Sequence, residues 1–402
     1  MQVRNHAIAL AIILWPTLAG AQPITIMGDI AGGATDCEPL AISNDGRYVC
    51  GRGSGPFGDR AFRWDATTGL FTEISPFINS PLGPGSATTM SADGSIVAGT
   101  MAGSSGTQPF WWTAPDNTRV IGELTTGVSG VTPTDISDDG SIIIGLASAP
   151  SGDAAWLAGG AFEKLEFLQS DATFSTLLSA NAISGDGSAV FGLSSLLSDP
   201  AIGIGVRWLI PIPPENLGPL LPGDGAFLFA TDTNGTIAVG RSQTDVEALF
   251  WREHTGMVKL GKDPLHGGNT VAEDVSDNGT IIVGRSADAG GENALIWLDF
   301  GPPQRLSQLL LSRGVTIPTG YTLRTADLVT PDSRFVCGTA DDGAGGVVGY
   351  IADLTGTGTA NPADLTTTGA TLPGQTGFGL PDGKVDLDDL GYFLTIWLIG
   401  TP

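Results

Sequence analysis

Residues 41–51 read AISNDGRYVCG, and the chain returns to that pattern six more times. The later copies are TMSADGSIVAG (89–99), DISDDGSIIIG (135–145), AISGDGSAVFG (182–192), ATDTNGTIAVG (230–240), DVSDNGTIIVG (274–284) and the degraded LVTPDSRFVCG (328–338). Aligned on Ser43, Ser91, Ser137, Ser184, Asp232, Ser276 and Thr330, they lie 44 to 54 residues apart. Self-similarity at that period marks one supersecondary unit copied along the chain. In every copy but the last, Asp-Gly or Asn-Gly divides two β-rich runs, the strongest short-range signal for a hairpin. A third apolar run then ends in an aromatic, at Trp64, Trp112, Trp208, Trp251, Trp297 or Tyr350. A fourth apolar stretch follows most copies, as at Leu70–Ile74, Val120–Leu124 and Met257–Leu260.

Four short antiparallel strands per repeat describe a propeller blade. The expectation is therefore an all-β chain: a seven-bladed β-propeller of four-stranded antiparallel blades. One helical turn near Leu306–Leu311 is the single departure. The seventh copy has no fourth strand before the composition changes after Leu354, whereas PITIMGDI (23–30) precedes the first copy and resembles the missing strand. Open sheet edges are liabilities, so the N-terminal strand is expected to close the ring.

The pattern A-x-x-IS-x-DG-x-x-V-x-G, followed by an aromatic strand and a Gly-rich turn, resembles the HAF-type extracellular repeats. LSQLLLSRGVTIPTGYTLRTADLVTPDSRFVCG (306–338) looks like the terminal unit of such arrays. The resemblance covers about residues 23–354 and implies an extracellular β-propeller, with little said about its ligand.

The N-terminus reads as a secretory signal over residues 1–21. Arg4 and His6 make the polar start, Ala7–Leu18 the apolar stretch and Ala19-Gly20-Ala21 the cleavage pattern. Pro16 and the short apolar length argue against the alternative, a membrane anchor. No later stretch is long enough to span a bilayer, so an exported protein, secreted or held at the cell surface, is expected. A net charge of −24, from 42 acidic and 18 basic residues, leaves no cationic face to neutralise phosphates, which excludes nucleic acid as a partner. Three cysteines do not form a scaffold. Cys37 and Cys50 lie on the two arms of the first hairpin and either bridge or remain buried thiols.

Beyond residues 22–354, a Gly/Thr linker (355–360) leads into a different kind of sequence over 361–402. Asp386 can cap a helix with an apolar stripe of Leu387, Leu390, Phe393, Leu394, Trp397 and Leu398. Asp382-Gly383-Lys384-Val385-Asp386, followed by Asp389, matches the second half of an EF-hand-like loop. Asp382 stands at position five, the Lys384 carbonyl at seven, and Asp386 and Asp389 at nine and twelve. Asp364 and Thr366, two residues apart, would supply the first ligands of a split Ca2+ loop. The alternative is a capped helix with acids at its positive end and no metal. The stretch ADLTTTG with PDGKVDLDDLGYFLTIWL resembles dockerin modules of the divergent GC-type group. That resemblance implies a calcium-dependent partner, a cohesin-like protein or cell-surface scaffold.

Catalytic signals are sparse. His254 and His266 stand in no metal-binding spacing and read as ordinary histidines. The turn residues Asp45, Asp93, Asp139, Asp186, Asn234, Asn278 and Asp332 could ring one end of a channel, but turn chemistry explains them equally. The repeated tryptophans read as packing between blades before they read as a sugar-stacking row. Two functions follow: a non-catalytic binding or structural module, which could recognise polysaccharide, or a carbohydrate-active hydrolase or lyase. An enzyme should gather several acids with a tyrosine or histidine in one central pocket.

Overall fold

The computed structural model describes residues 23–56, 58–74, 85–103, 106–115, 117–120, 131–147, 154–158, 161–164, 179–195, 202–209, 215–218, 220, 223–265 and 267–355. Six four-stranded antiparallel sheets, each of consecutive strands, form blades one to six. Their inner strands are Cys37–Ile42, Gly85–Met90, Val131–Ile136, Ser179–Ile183, Ala226–Thr231 and Asn269–Val275. The remaining sheet takes strands from both ends of the chain. Ile24–Gly28 pairs with Val347–Asp353, which pairs with Phe335–Asp341; that strand holds two short inner pieces, Thr322–Leu323 and Leu328–Val329. Each inner strand packs beside the next, and Leu328–Val329 packs beside Cys37–Ile42, so the sheets close on themselves.

The expectation of seven like four-stranded blades is thus corrected. Six follow that pattern, and the closing sheet has five strands because its inner edge is broken in two. The N-terminal strand does close it, with Ile24 opposite Ala352 and Ile26 opposite Tyr350. Ile24 is 3% exposed, in a core shared with Val336, Tyr350 and the helix Leu306–Ser312, which buries Leu306, Leu309 and Leu310. In blade two the fourth strand is Asn117–Val120, ahead of the expected Val120–Leu124. The leader 1–21 and the module 361–402 lie outside the described residues. No helix among the described residues is long and apolar enough to cross a membrane.

The repeated motif folds as a locked hairpin turn. Ser91 Oγ donates to Asp93 Oδ1 (2.8 Å) and accepts the Ile96 N–H (3.0 Å), while Asp93 accepts the Ser95 N–H (2.9 Å). Ser43, Ser137, Ser184 and Thr330 repeat the bond to the turn aspartate. Asp232 does the serine's work in blade five, accepting the N–H groups of Thr236 and Ile237. The turn needs a left-handed residue, Gly94 at φ +69, and in the degraded copy Ser333 takes that conformation at φ +64.

Cys37, Cys50 and Cys337 are all free and buried. On the ladder Cys37 faces Gly53 whereas Cys50 faces Ala41. The two thiols of that hairpin are therefore offset along it, and the suggested bridge does not form.

Candidate binding channel

A channel of about 460 Å³ runs along the ring axis, walled by the inner strands. What aims side chains into it is a bulge. In every one of the six blades the register of the inner strand slips between two residues, with one residue left between them. Those residues are Leu40, Thr88, Thr134, Asn181, Phe229 and Glu273, and all six line the channel. A bulge leaves its extra residue unpaired and re-aims its side chain. In the closing sheet the bulge widens into the break between the two inner pieces, and Asp327 occupies the equivalent place.

The glycine that ends each motif is the partner of this bulge. A Cβ on Gly99 would lie 2.0 Å from the Ser86 carbonyl oxygen, and one on Gly284 1.9 Å from that of Val271. Only glycine tolerates the carbonyl that the bulge pushes over it.

Most polar groups in the wall hold one blade to the next. At the bulge layer, Thr88 Oγ1 donates to the Pro133 carbonyl (2.7 Å), Thr134 Oγ1 to that of Ala180 (2.7 Å), and Asn181 Nδ2 to that of Leu228 (2.9 Å). One residue further on, Asp135 Oδ2 accepts the Ile183 N–H and Asp274 Oδ2 the Val329 N–H, both at 2.8 Å. At the turn end a belt of backbone bonds links successive sheets. Asn44 N–H reaches the Ala92 carbonyl, Ala92 that of Asp138, Asp138 that of Gly185, Asp186 that of Thr233, and Asp277 that of Pro331. Thr233 N–H completes the run on Asp277 Oδ1 (3.0 Å).

Seven acids line the channel: Glu38, Asp135, Asp138, Glu273, Asp274, Asp277 and Asp327. Among the described residues they face a single lining cation, Arg285. Removal from bulk water disfavours charge. Burial pushes Asp135 up to about 6 and Asp274 to about 7, against the pull of the N–H groups they accept. Burial likewise raises Asp327 to about 7 and raises Glu273, where nearby Arg285 opposes it. Asp138 is raised by burial and by the facing Asp277, although Asn44 Nδ2 donates to it at 3.5 Å.

At the mouth away from the turns, Arg285 sits among acids. Its Nη1 lies 2.6 Å from Glu273 Oε1 and 3.7 Å from Asp327 Oδ1, and its Nε 3.5 Å from Glu292 Oε1. Arg52 bridges Glu38 and Asp59 beside this mouth (2.5 and 3.1 Å), and Arg324 bridges Glu292 and Asp341 (2.7 and 3.5 Å). Arg241 stacks over Phe227, 4.7 Å from the ring centre.

The residues singled out from sequence fall elsewhere. The turn aspartates point into their own turns, as the Ser91–Asp93 lock shows. Trp64, Trp112 and Trp297 are at most 1% exposed, so the tryptophans pack the blades. Arg63 lies between the Tyr48 and Trp112 rings (4.3 and 4.8 Å) and donates to the Gly94 carbonyl at 2.7 Å. Arg207 repeats the device on Trp251 and Gly235. His254 occupies a left-handed turn at φ +67, away from the channel lining. The calcium ligands expected at Asp364, Thr366, Asp382, Lys384, Asp386 and Asp389 lie outside the described residues, as does His266. Among the described residues no three histidines, cysteines or acids converge as a metal site.

The channel residues were missed, yet a signal was present. The residue three before each aligned serine runs Leu40, Thr88, Thr134, Asn181, Phe229, Glu273, Asp327. It is hydroxyl or amide in copies two to four, apolar in copies one and five and an acid in the last two, opposite an unvarying glycine.

No protein-family model and no curated protein sequence matches this chain. Solved structures do resemble it. An oligogalacturonate lyase from Vibrio parahaemolyticus matches at 12% identity and a TM-score of 0.54, over 82% of this chain and 93% of that one. An oligogalacturonate lyase in complex with manganese matches at 13% identity and 0.51, over 82% and 96%. The β-propeller domain of the Trilobed protease from Pyrococcus furiosus matches at 10% and 0.50, over 81% and 99%. At such identities the likeness is one of fold alone: an all-β propeller.

Proposed function

We propose that this chain is an exported, non-catalytic propeller. It acts as a binding or structural module and is anchored or assembled through a calcium-dependent, dockerin-like tail. One observation carries the reading: most polar groups of the channel wall are already engaged between blades. Asp135 and Asp274 are acceptors for the next sheet's backbone, and Thr88, Thr134 and Asn181 are donors to it. The acids that remain at one mouth pair with arginines, and among the described residues the lining includes no histidine or tyrosine. Such a wall offers a shaped polar surface in place of a poised nucleophile. The expected partners are a cohesin-like protein or cell-surface scaffold through the tail and, through the ring, a polysaccharide.

Incubation of the full-length exported protein with soluble polysaccharides is expected to release neither new reducing ends nor unsaturated products. Release of either would replace this reading with the second one, a carbohydrate-active hydrolase or lyase on the same scaffold. That reading draws on Glu273 and Asp327, two acids of raised proton affinity beside Arg285, and on the fold shared with the lyases. The tail is tested by calcium titration of the full chain. Asp382→Ala and Asp389→Ala should each abolish uptake; no uptake by the unaltered chain, or uptake unchanged in both variants, would remove the metal from this loop.

A further inference from the structure

We propose that Glu273, Arg285, Asp327 and Glu38 form a one-sided subsite at the channel mouth for a neutral, hydroxyl-rich ligand, a sugar chain. The proposal rests on the binding-module reading and gives its site and ligand class.

Subtraction locates the subsite. The bulge aims one side chain per sheet into the channel, and in blades two, three and four that side chain donates to the next blade's carbonyl. A carboxylate cannot donate, so Glu273 and Asp327 break the pattern on neighbouring sheets. Arg285 stands between them. Glu273 Oε1 is buried against Arg285 Nη1 at 2.6 Å while its side chain keeps 19% of its surface exposed, and Asp327 Oδ2 accepts from Thr325 Oγ1. The ring order frames the pair. Phe229 of blade five precedes Glu273 and Leu40 of blade one follows Asp327, both half-buried in the channel wall.

The chemistry then selects the ligand. A free anion would meet Glu38, Glu273 and Asp327, whereas a free cation would meet Arg285 at the centre. Among the described residues these acids do not stand close enough together to hold a metal ion. A molecule whose hydroxyls both donate and accept suits alternating carboxyl and guanidinium groups, each of which offers two oxygens or a planar fork of N–H donors. Phe229 and Leu40 offer apolar surface to the C–H face of a sugar ring, so an elongated neutral oligosaccharide fits both features.

The test is calorimetric titration of the full-length exported protein with xylohexaose and cellohexaose. At least one is expected to bind. Glu273→Gln and Asp327→Asn should each weaken it tenfold or more, and Arg285→Ala more still. Thr134→Val, in the same layer on the opposite arc, should change affinity less than twofold. Glu273→Gln keeps size and shape, so an unchanged melting temperature separates lost recognition from lost folding. Binding unaltered in Glu273→Gln and Asp327→Asn would overturn the subsite while leaving a binding module in place. Failure of both sugars to bind would overturn the ligand class. Product release in the polysaccharide assay would instead remove the non-catalytic reading.

Discussion

Blades two to four and the arc made by blade six with the closing sheet share a backbone device and use it differently. Both arcs aim one side chain per sheet into the channel through a bulge or a break. On the first arc Thr88, Thr134 and Asn181 hand a hydrogen to the neighbouring carbonyl; on the second, Glu273 and Asp327 stand around Arg285. A repeated fold can therefore keep its backbone constant and vary the side-chain chemistry at one position per copy. The ring tolerates the exchange because other links survive it, among them the Asp274 bond to Val329 and the turn-end belt.

The second arc depends on a strand from the far end of the chain, which gives the sharpest way to break the contrast. Ile24→Asp places an unpaired charge in a core where Ile24 is 3% exposed. It should cost about 4 kcal/mol or more in denaturant unfolding. An unchanged midpoint would show that the closing sheet stands without its N-terminal strand. Next in size, the aspartate pins common to both arcs should be equivalent. Asp135→Ala and Asp274→Ala each orphan an N–H of the next sheet, and each should lower stability by about 1–3 kcal/mol. A large inequality would mean that one seam is held by something else.

Protonation gives a second handle, since burial raises an acid on the first arc, Asp135, as well as Glu273, Asp274 and Asp327 on the second. Asp327 is raised to about 7 in the folded chain, against roughly 3.9 when unfolded. Between those values the folded form holds a proton that the unfolded form has lost, so this group's stabilising contribution is complete below about pH 4 and is lost as pH rises through 7. The melting temperature should fall by about 2–4 °C between pH 5 and 8 on account of Asp327. Asp327→Asn should remove its share of the slope and leave the part due to Asp135 and Asp274, whereas Thr134→Val should leave the slope unchanged. The smallest effect sharpens the comparison most. Thr134→Val should cost about 1 kcal/mol for one lost hydrogen bond. Glu273→Gln, which restores a donor where the other arc has one, should cost nothing in chemical denaturation. Equal losses in the two would show that the acid arc is structural.

Much of the ring was legible beforehand. The hairpin turn is written in residues within five positions of one another: the Ser91 hydroxyl, the Asp93 carboxylate, the left-handed Gly94 and the Ile96 N–H they lock. The aromatic at the end of each third strand and the spare apolar strand at 23–30 carried the blade and its closure. The cysteines misled, since sharing a hairpin says nothing of register, and the bulge in the first inner strand helps set where Cys37 and Cys50 fall. The last motif glycine was visible seven times, but it reads as a bulge only when the carbonyl opposite is known.

What the sequence determined by itself is the unit, because turn chemistry and strand alternation act between near neighbours. Which side chains meet was decided only by the tertiary structure. Glu273 and Asp327 are 54 residues apart in sequence and unremarkable separately; ring closure sets their sheets side by side, and the bulge and the break turn both toward Arg285. Convergence on an axis is a property of the whole ring, and no single repeat contains it.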